Sequence, residues 1–115
     1  MAHPYFAQLR QLLDDADLNE TDIVCKHFFS GAAAYACGHI FASLTPKGLA
    51  FKLTGKRCVE VIEKGKGTEL TYFENSPVKK GYVLFRDFAE MSKGDLRRYF
   101  SEALSIAGLE DQRRN

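Results

Sequence analysis

FFSGAAAYACGHIFASLTPKGLAFKL, residues 28–53, reads as three consecutive strands joined by two tight turns. The third strand is the clearest. Leu49, Phe51 and Leu53 alternate with Ala50 and Lys52, the period of two expected when one sheet face is buried and the other wet. Cys37-Gly38-His39 and Thr45-Pro46-Lys47-Gly48 mark the reversals, because glycine accepts positive φ and proline presets φ for a turn. Ala32, Ala33, Ala34 and Ala36 give the first strand little side-chain volume, which lets a helix or a second subunit approach closely. A meander of this kind has an apolar face that helices must cover, and the rest of the chain supplies the cover.

Working outward, residues 4 to 16 form an amphipathic helix, with Pro4 in its first turn and Tyr5, Phe6, Leu9, Leu12 and Leu13 on one face. Its polar face lacks the Lys/Arg excess of a membrane-surface helix. Leu18 to Cys25 leads into the sheet, with a short edge strand around Ile23 and Val24. After Leu53 the period changes. Thr54 is placed to cap a short helix with the stripe Cys58, Val59, Val61 and Ile62, and Gly65 to take the left-handed position beyond its end. Thr68–Glu74 reads as a fourth strand. Gly81–Phe85, nearly continuous in apolar residues, reads as a fifth, central one. Ser92-Lys93-Gly94-Asp95 opens a last helix carrying Leu96, Tyr99, Phe100, Ala103, Leu104 and Ala107, which Gly108 ends; residues 110–115 form a frayed polar tail. The expectation is a single α+β domain over residues 1–115: an antiparallel five-stranded sheet with packed helices, in the order α-β-β-β-α-β-β-α.

Composition narrows the function. At 115 residues the chain suits one core. Sixteen basic residues against fifteen acidic ones leave no global field for nucleic acid or an anionic membrane. The start MAHPYFAQLRQLL has no basic region ahead of an apolar core, so no signal peptide is expected, and no apolar run approaches the roughly 20 residues of a membrane span. Three cysteines, an odd number, then point to free thiols in a reducing cytoplasm.

Several residues have the chemistry of a site. Cys25-x-His27 and Cys37-x-His39 could each present two soft ligands on one strand face, together a Cys₂His₂ zinc site. Their spacing departs from the C-x₂₋₄-C and H-x₃₋₅-H of structural zinc domains, and buried cysteines beside exposed or capping histidines account for the same residues, so no cofactor is expected. Cys58, beside Lys56 and Arg57 near a helix start, has surroundings that lower a thiol pKa, but no base and orienting partner can be assigned to it. Thr54-Gly55-Lys56-Arg57 fails as a phosphate loop at both ends, with Ala50 in place of the first Gly and Arg57 in place of Ser/Thr. Lys26, Lys47, Lys52, Lys56, Arg57, Lys79 and Lys80 could gather on one sheet edge, with Tyr35, Tyr72 and Tyr82 as stacking platforms for nucleic acid. Strand tyrosines more often pack, and no reader motif accompanies them. Phe28 and Phe29, consecutive on a strand, point to opposite faces, so one is turned toward a second layer or a partner.

The ordered pattern resembles the N-terminal domain of the TfoX (Sxy) competence-regulator family. Phe28-Phe29-Ser30-Gly31 stands where that family has M-F-G-G, with Ser30 in place of the first Gly and Cys25-Lys26-His27 where a basic pair is usual. Tyr35, Gly38, Phe41-Ala42, Leu49-Ala50-Phe51-Lys52 and Lys80-Gly81-Tyr82-Val83 follow in register, and the likeness runs from Phe6 to Leu109. The resemblance implies a secretion-chaperone-like α+β fold, a tendency to dimerise, a domain standing without the family's helical C-terminal domain, and no enzyme. The expected function is therefore a protein-interaction module, a homodimer that also binds a regulatory protein. Phe28, Phe29, Gly31 and Tyr35 are its expected interaction surface. Nucleic acid is the less favoured partner and a membrane is not expected.

Overall fold

A computed structural model of the chain describes residues 4–18, 22–28, 30–71 and 75–113. It contains helix α1 (Pro4–Asp15), strands β1 (Ile23–Phe28), β2 (Gly31–Ala36), β3 (His39–Thr45) and β4 (Gly48–Lys52), helix α2 (Gly55–Glu63), strand β5 (Tyr82–Phe85) and helix α3 (Lys93–Arg113), with a 3₁₀ turn at Phe88–Glu90. The strands lie side by side in chain order in one antiparallel sheet. The α+β class and the five strands agree with the sequence. The order of elements, α-β-β-β-β-α-β-α, does not.

Two differences produce that change. The edge strand at Ile23 runs on to Phe28 and pairs along its whole length with β2, from Ile23 opposite Ala36 to Phe28 opposite Gly31. Phe28 thus closes one strand and the alanines belong to the next, while Phe29 lies outside the described residues. The expected strand at Thr68–Glu74 is reduced to a single bridge, Thr68 with Leu84, and positions 72–74 lie outside the described residues. Lys79 donates its N–H to the Leu70 carbonyl, so this segment folds back on itself instead of extending a ladder. It nevertheless covers β5. Leu70 packs on Ala50, Tyr82 and Leu84 on one sheet face, while Val83 and Phe85 enter the main core on the other. The unbroken apolar run of β5 records burial on both faces, in a strand that stands at the edge of the sheet rather than its centre.

Turn chemistry follows the sequence closely. Cys37 and Gly38 both have positive φ, 54° and 80°, which is the two-residue turn that matches the twist of a hairpin. A bulge between Ala34 and Tyr35 leaves Phe41 as the extra residue of β3, and both Phe41 and Ala42 are fully buried. Thr54 caps α2 by accepting the Arg57 N–H. At its other end Gly65 (φ 73°) and Lys66 donate to the carbonyls of Ile62 and Val61, a Schellman closure. Ser92 Oγ accepts the Asp95 N–H at the start of α3. That helix passes through Gly108 and continues to Arg113, because one interior glycine costs only about 1 kcal/mol and Glu110, Gln112 and Arg113 are good helix formers.

Helices α1 and α3 cover one face of the sheet. Ala32, Ala34 and Ala36 of β2 sit there beneath them, so the small side chains serve close helix approach. The core centres on Phe51, whose ring centroid is 5.6 Å from Phe85, 5.6 Å from Tyr99 and 4.8 Å from Phe100. Edge-to-face and offset contacts of this kind add to the area that the rings bury.

Candidate functional site

Among the described residues no helix lies on the other face of β1–β3. Ile23 and Cys25 pack against the helix-side core, so Val24, Lys26 and Phe28 point to the open side. Val24 lies directly opposite Tyr35, and Tyr35 opposite Ile40. The row Val24–Tyr35–Ile40 therefore runs across three strands. Val24 is 47% exposed, Tyr35 and Ile40 are half-buried, and the Lys26 ammonium stands 5.3 Å from the Tyr35 ring centroid. The next row, Ala33, Ser43 and Ala50, is small and buried. This makes a mixed patch in which aromatic and aliphatic surface lies beside a cation stacked on the ring, and its tyrosine is of a type enriched at protein interfaces.

The residues expected at the surface divide. Tyr35 belongs to this patch and Phe28 stands half-buried at its end. Gly31 is buried, and a Cβ there would collide with the Leu44 carbonyl oxygen, so its smallness serves the contact between β2 and β3. Phe29 lies outside the described residues. Val24 and Ile40 were not expected in the patch. The two-residue Cys37-Gly38 turn sets Ile40 opposite Tyr35, whereas Val24 reaches Tyr35 only through the pairing of β1 with β2.

The zinc arrangement is not formed. Cys25 faces Ala34, whereas His39 pairs with Ala36, two strand spacings from β1, and Cys37 is exposed in the hairpin turn. Two spacings are about 10 Å, too far for shared coordination. His27 instead stacks near Phe6, with ring centroids 5.1 Å apart. Among the described residues no three His, Cys, Asp or Glu side chains gather to hold a metal.

Burial, not the neighbouring Lys56 and Arg57, governs Cys58. Its thiol pKa is raised by desolvation, and the Sγ lies 3.8 Å from the Leu53 carbonyl oxygen. Cys25 is likewise raised by burial, against a smaller opposing effect of Arg10. Neither is an activated nucleophile. Val59, placed by its spacing on the buried stripe of α2, is 54% exposed.

The basic residues do not share an edge. Lys26 is on β1 and Lys52 on β4, three strands apart. Lys47 donates to Thr71 Oγ1, and Arg57 is paired with Glu102. Tyr82 is buried and cannot stack a base, and Tyr72 lies outside the described residues. Among the described residues no helix is long and apolar enough to cross a membrane.

Fold and surface together define a small α+β domain with helices on one side of a meander; on the other side Leu70 covers the β4–β5 end, and Val24, Lys26 and Tyr35 form a mixed apolar and cationic patch at the β1 end. No protein-family model matches the chain, and no curated protein sequence matches it.

Proposed function

We propose that the chain is a non-enzymatic protein-interaction module that acts as a homodimer, as its resemblance to the N-terminal domain of the TfoX family implies, and that it recruits a regulatory protein in the cytoplasm. The observation that carries this reading is the row Val24–Tyr35–Ile40 with Lys26 stacked on Tyr35, in which Val24 is exposed, Tyr35 is half-buried and Ile40 joins the patch to the Leu70 cluster. Tyrosine is among the side chains that supply much of the binding energy at protein interfaces.

The test is affinity capture from a lysate of the source organism after nuclease treatment, comparing the wild type with Tyr35→Ala. A protein retained by the wild type and released by Tyr35→Ala, at equal thermal stability of the two baits, is the expected result. Material that disappears with nuclease would replace the reading by nucleic-acid binding. Equal retention by both baits would remove the patch from the account.

A further inference from the structure

The strand β1 is the outermost of the sheet, and among the described residues no other strand lies beyond it. It is six residues long with neither proline nor an irregularity in its pairing to β2. Natural edge strands of this length are usually blunted by a bulge, a proline or an inward charge. Here Lys26 is the only lysine on the strand, and Val24 beside it is exposed.

The sequence about Val24 has a polarity that matters for pairing. Asp22-Ile23-Val24-Cys25-Lys26 runs acid, apolar, apolar, apolar, base. Turned about a two-fold axis at Val24, the segment is its own complement. Building on the homodimer reading, we infer that a second copy of the chain pairs antiparallel along β1 with Val24 on the axis, extending the two sheets into one. Val24 then faces Val24, Ile23 of each copy faces Cys25 of the other, and Asp22 of each faces Lys26 of the other. Directly opposed side chains in antiparallel strands have Cβ atoms about 4.5–5.5 Å apart, within reach of an ion pair. The Lys26 ammonium turns outward from Tyr35 on its four-carbon stem to reach it.

Charge selects this register over its neighbours. Centring the pair on Cys25 sets Lys26 against Val24 and Asp22 against Phe28, and centring it on Lys26 sets two lysines face to face. Of these three, only the Val24 register sets Lys26 of each copy opposite Asp22, the residue that precedes the strand in the other. The same lysine that guards the edge against unrelated strands becomes the element that accepts its own copy.

Sedimentation equilibrium of the full chain and three variants tests this. Asp22→Lys and Lys26→Asp each place two like-charged pairs across the axis and weaken the dimer about tenfold or more, an effect that shrinks in high salt. The double reversal Asp22→Lys with Lys26→Asp restores opposite charges and returns the dissociation constant to within about threefold of the wild type. Circular dichroism at dilution verifies that each variant is folded, and Asp22→Lys leaves the Lys26–Tyr35 contact untouched. A dimer indifferent to the single reversals, or a double reversal that fails to recover, overturns the β1 register and leaves the homodimer reading standing. A monomer at every concentration overturns both.

Discussion

Arg57 grips Glu102 with two parallel bonds, Nε to Oε1 at 2.8 Å and Nη2 to Oε2 at 3.1 Å. The pair joins the first turn of α2 to the middle of α3. The guanidinium also lies 5.7 Å from the Tyr99 ring centroid, so one side chain touches both helices and the edge of the aromatic core. Arg57 is fixed in turn by its own backbone, whose N–H is the donor that Thr54 accepts at the cap. Glu102 hydrogen-bonds the guanidinium and raises its pKa further above the ordinary arginine value.

A forked arginine–carboxylate pair of this geometry exceeds an ordinary surface pair. Glu102→Gln is expected to lower the unfolding free energy by about 1 kcal/mol, and Arg57→Lys by a similar amount because lysine cannot make the fork. Arg97 and Asp17, 3.6 Å apart with side chains 62% and 77% exposed, are the contrast. Arg97→Ala should change stability by less than about 0.5 kcal/mol. Urea titration of the three variants decides it, and equal losses at both pairs would contradict the assignment.

The contact is 45 positions apart in sequence, and that separation explains what was legible and what was not. Local chemistry announced itself. The alternation of Leu49, Phe51 and Leu53 gave β4, Thr54 and Ser92 marked helix starts, and Gly65 marked a helix end. Non-local facts stayed hidden. The β1 sequence IVCKHF has no clean alternation, since Lys26 and His27 are both exposed while Cys25 and Phe28 are half-buried. Its full length emerges only from pairing with β2. The apolar run of β5 reported two-sided burial truthfully but not its position, because a folded-back loop can cover a strand as well as a neighbouring layer can. The candidate patch suffered most. Tyr35 could be suspected from sequence, whereas Val24 joins it only through the pairing of β1 with β2.

Gly31 was expected at a surface, yet the structure gives it a packing role that substitution can isolate. Gly31→Ala drives a methyl group into the Leu44 carbonyl, backbone that cannot yield without parting β2 from β3. The expected loss is about 3 kcal/mol or more, by the overpacking route. Ser30→Ala, one residue earlier at an exposed turn position, should stay within about 0.5 kcal/mol. Thermal unfolding of the two variants separates a structural glycine from a binding one, and a folded Gly31→Ala chain of wild-type stability would reverse the conclusion.

Two residues beyond the end of helix α1 the chain holds a residue in an unfavourable conformation. Asp17 has φ 59°, and with Leu18 it returns N–H bonds to the carbonyls of Asp14 and Leu13. This is the Schellman position that glycine occupies without steric cost. Asp17→Gly should therefore stabilise the fold by up to about 1 kcal/mol, after subtracting the small contribution of the exposed pair with Arg97. Asp17→Val, which places a β-branched side chain at positive φ, should destabilise it. A melting-temperature series of the two variants reads the sign directly.

The buried thiol of Cys58 makes a prediction about alkaline pH. Desolvation raises its pKa in the folded chain above the unfolded value of about 8.5. Between those two values the unfolded chain has released the thiol proton and the folded chain still holds it. Protons bound in the folded state then exceed those bound in the unfolded state, and stability falls as pH rises through that window. Below pH 8 both states hold the proton and the group is silent. Cys58→Ala removes this slope while leaving the titration of tyrosines and lysines in place. The stability difference between wild type and Cys58→Ala should accordingly narrow as pH is taken from 8 to 10. Thiol labelling gives the kinetic counterpart: exposed Cys37 reacts first at neutral pH, half-buried Cys25 more slowly, and Cys58 only on opening of the fold. If Cys58 were labelled as fast as Cys37, its thiol would be neither buried nor raised in pKa, and the alkaline effect would have to be assigned elsewhere.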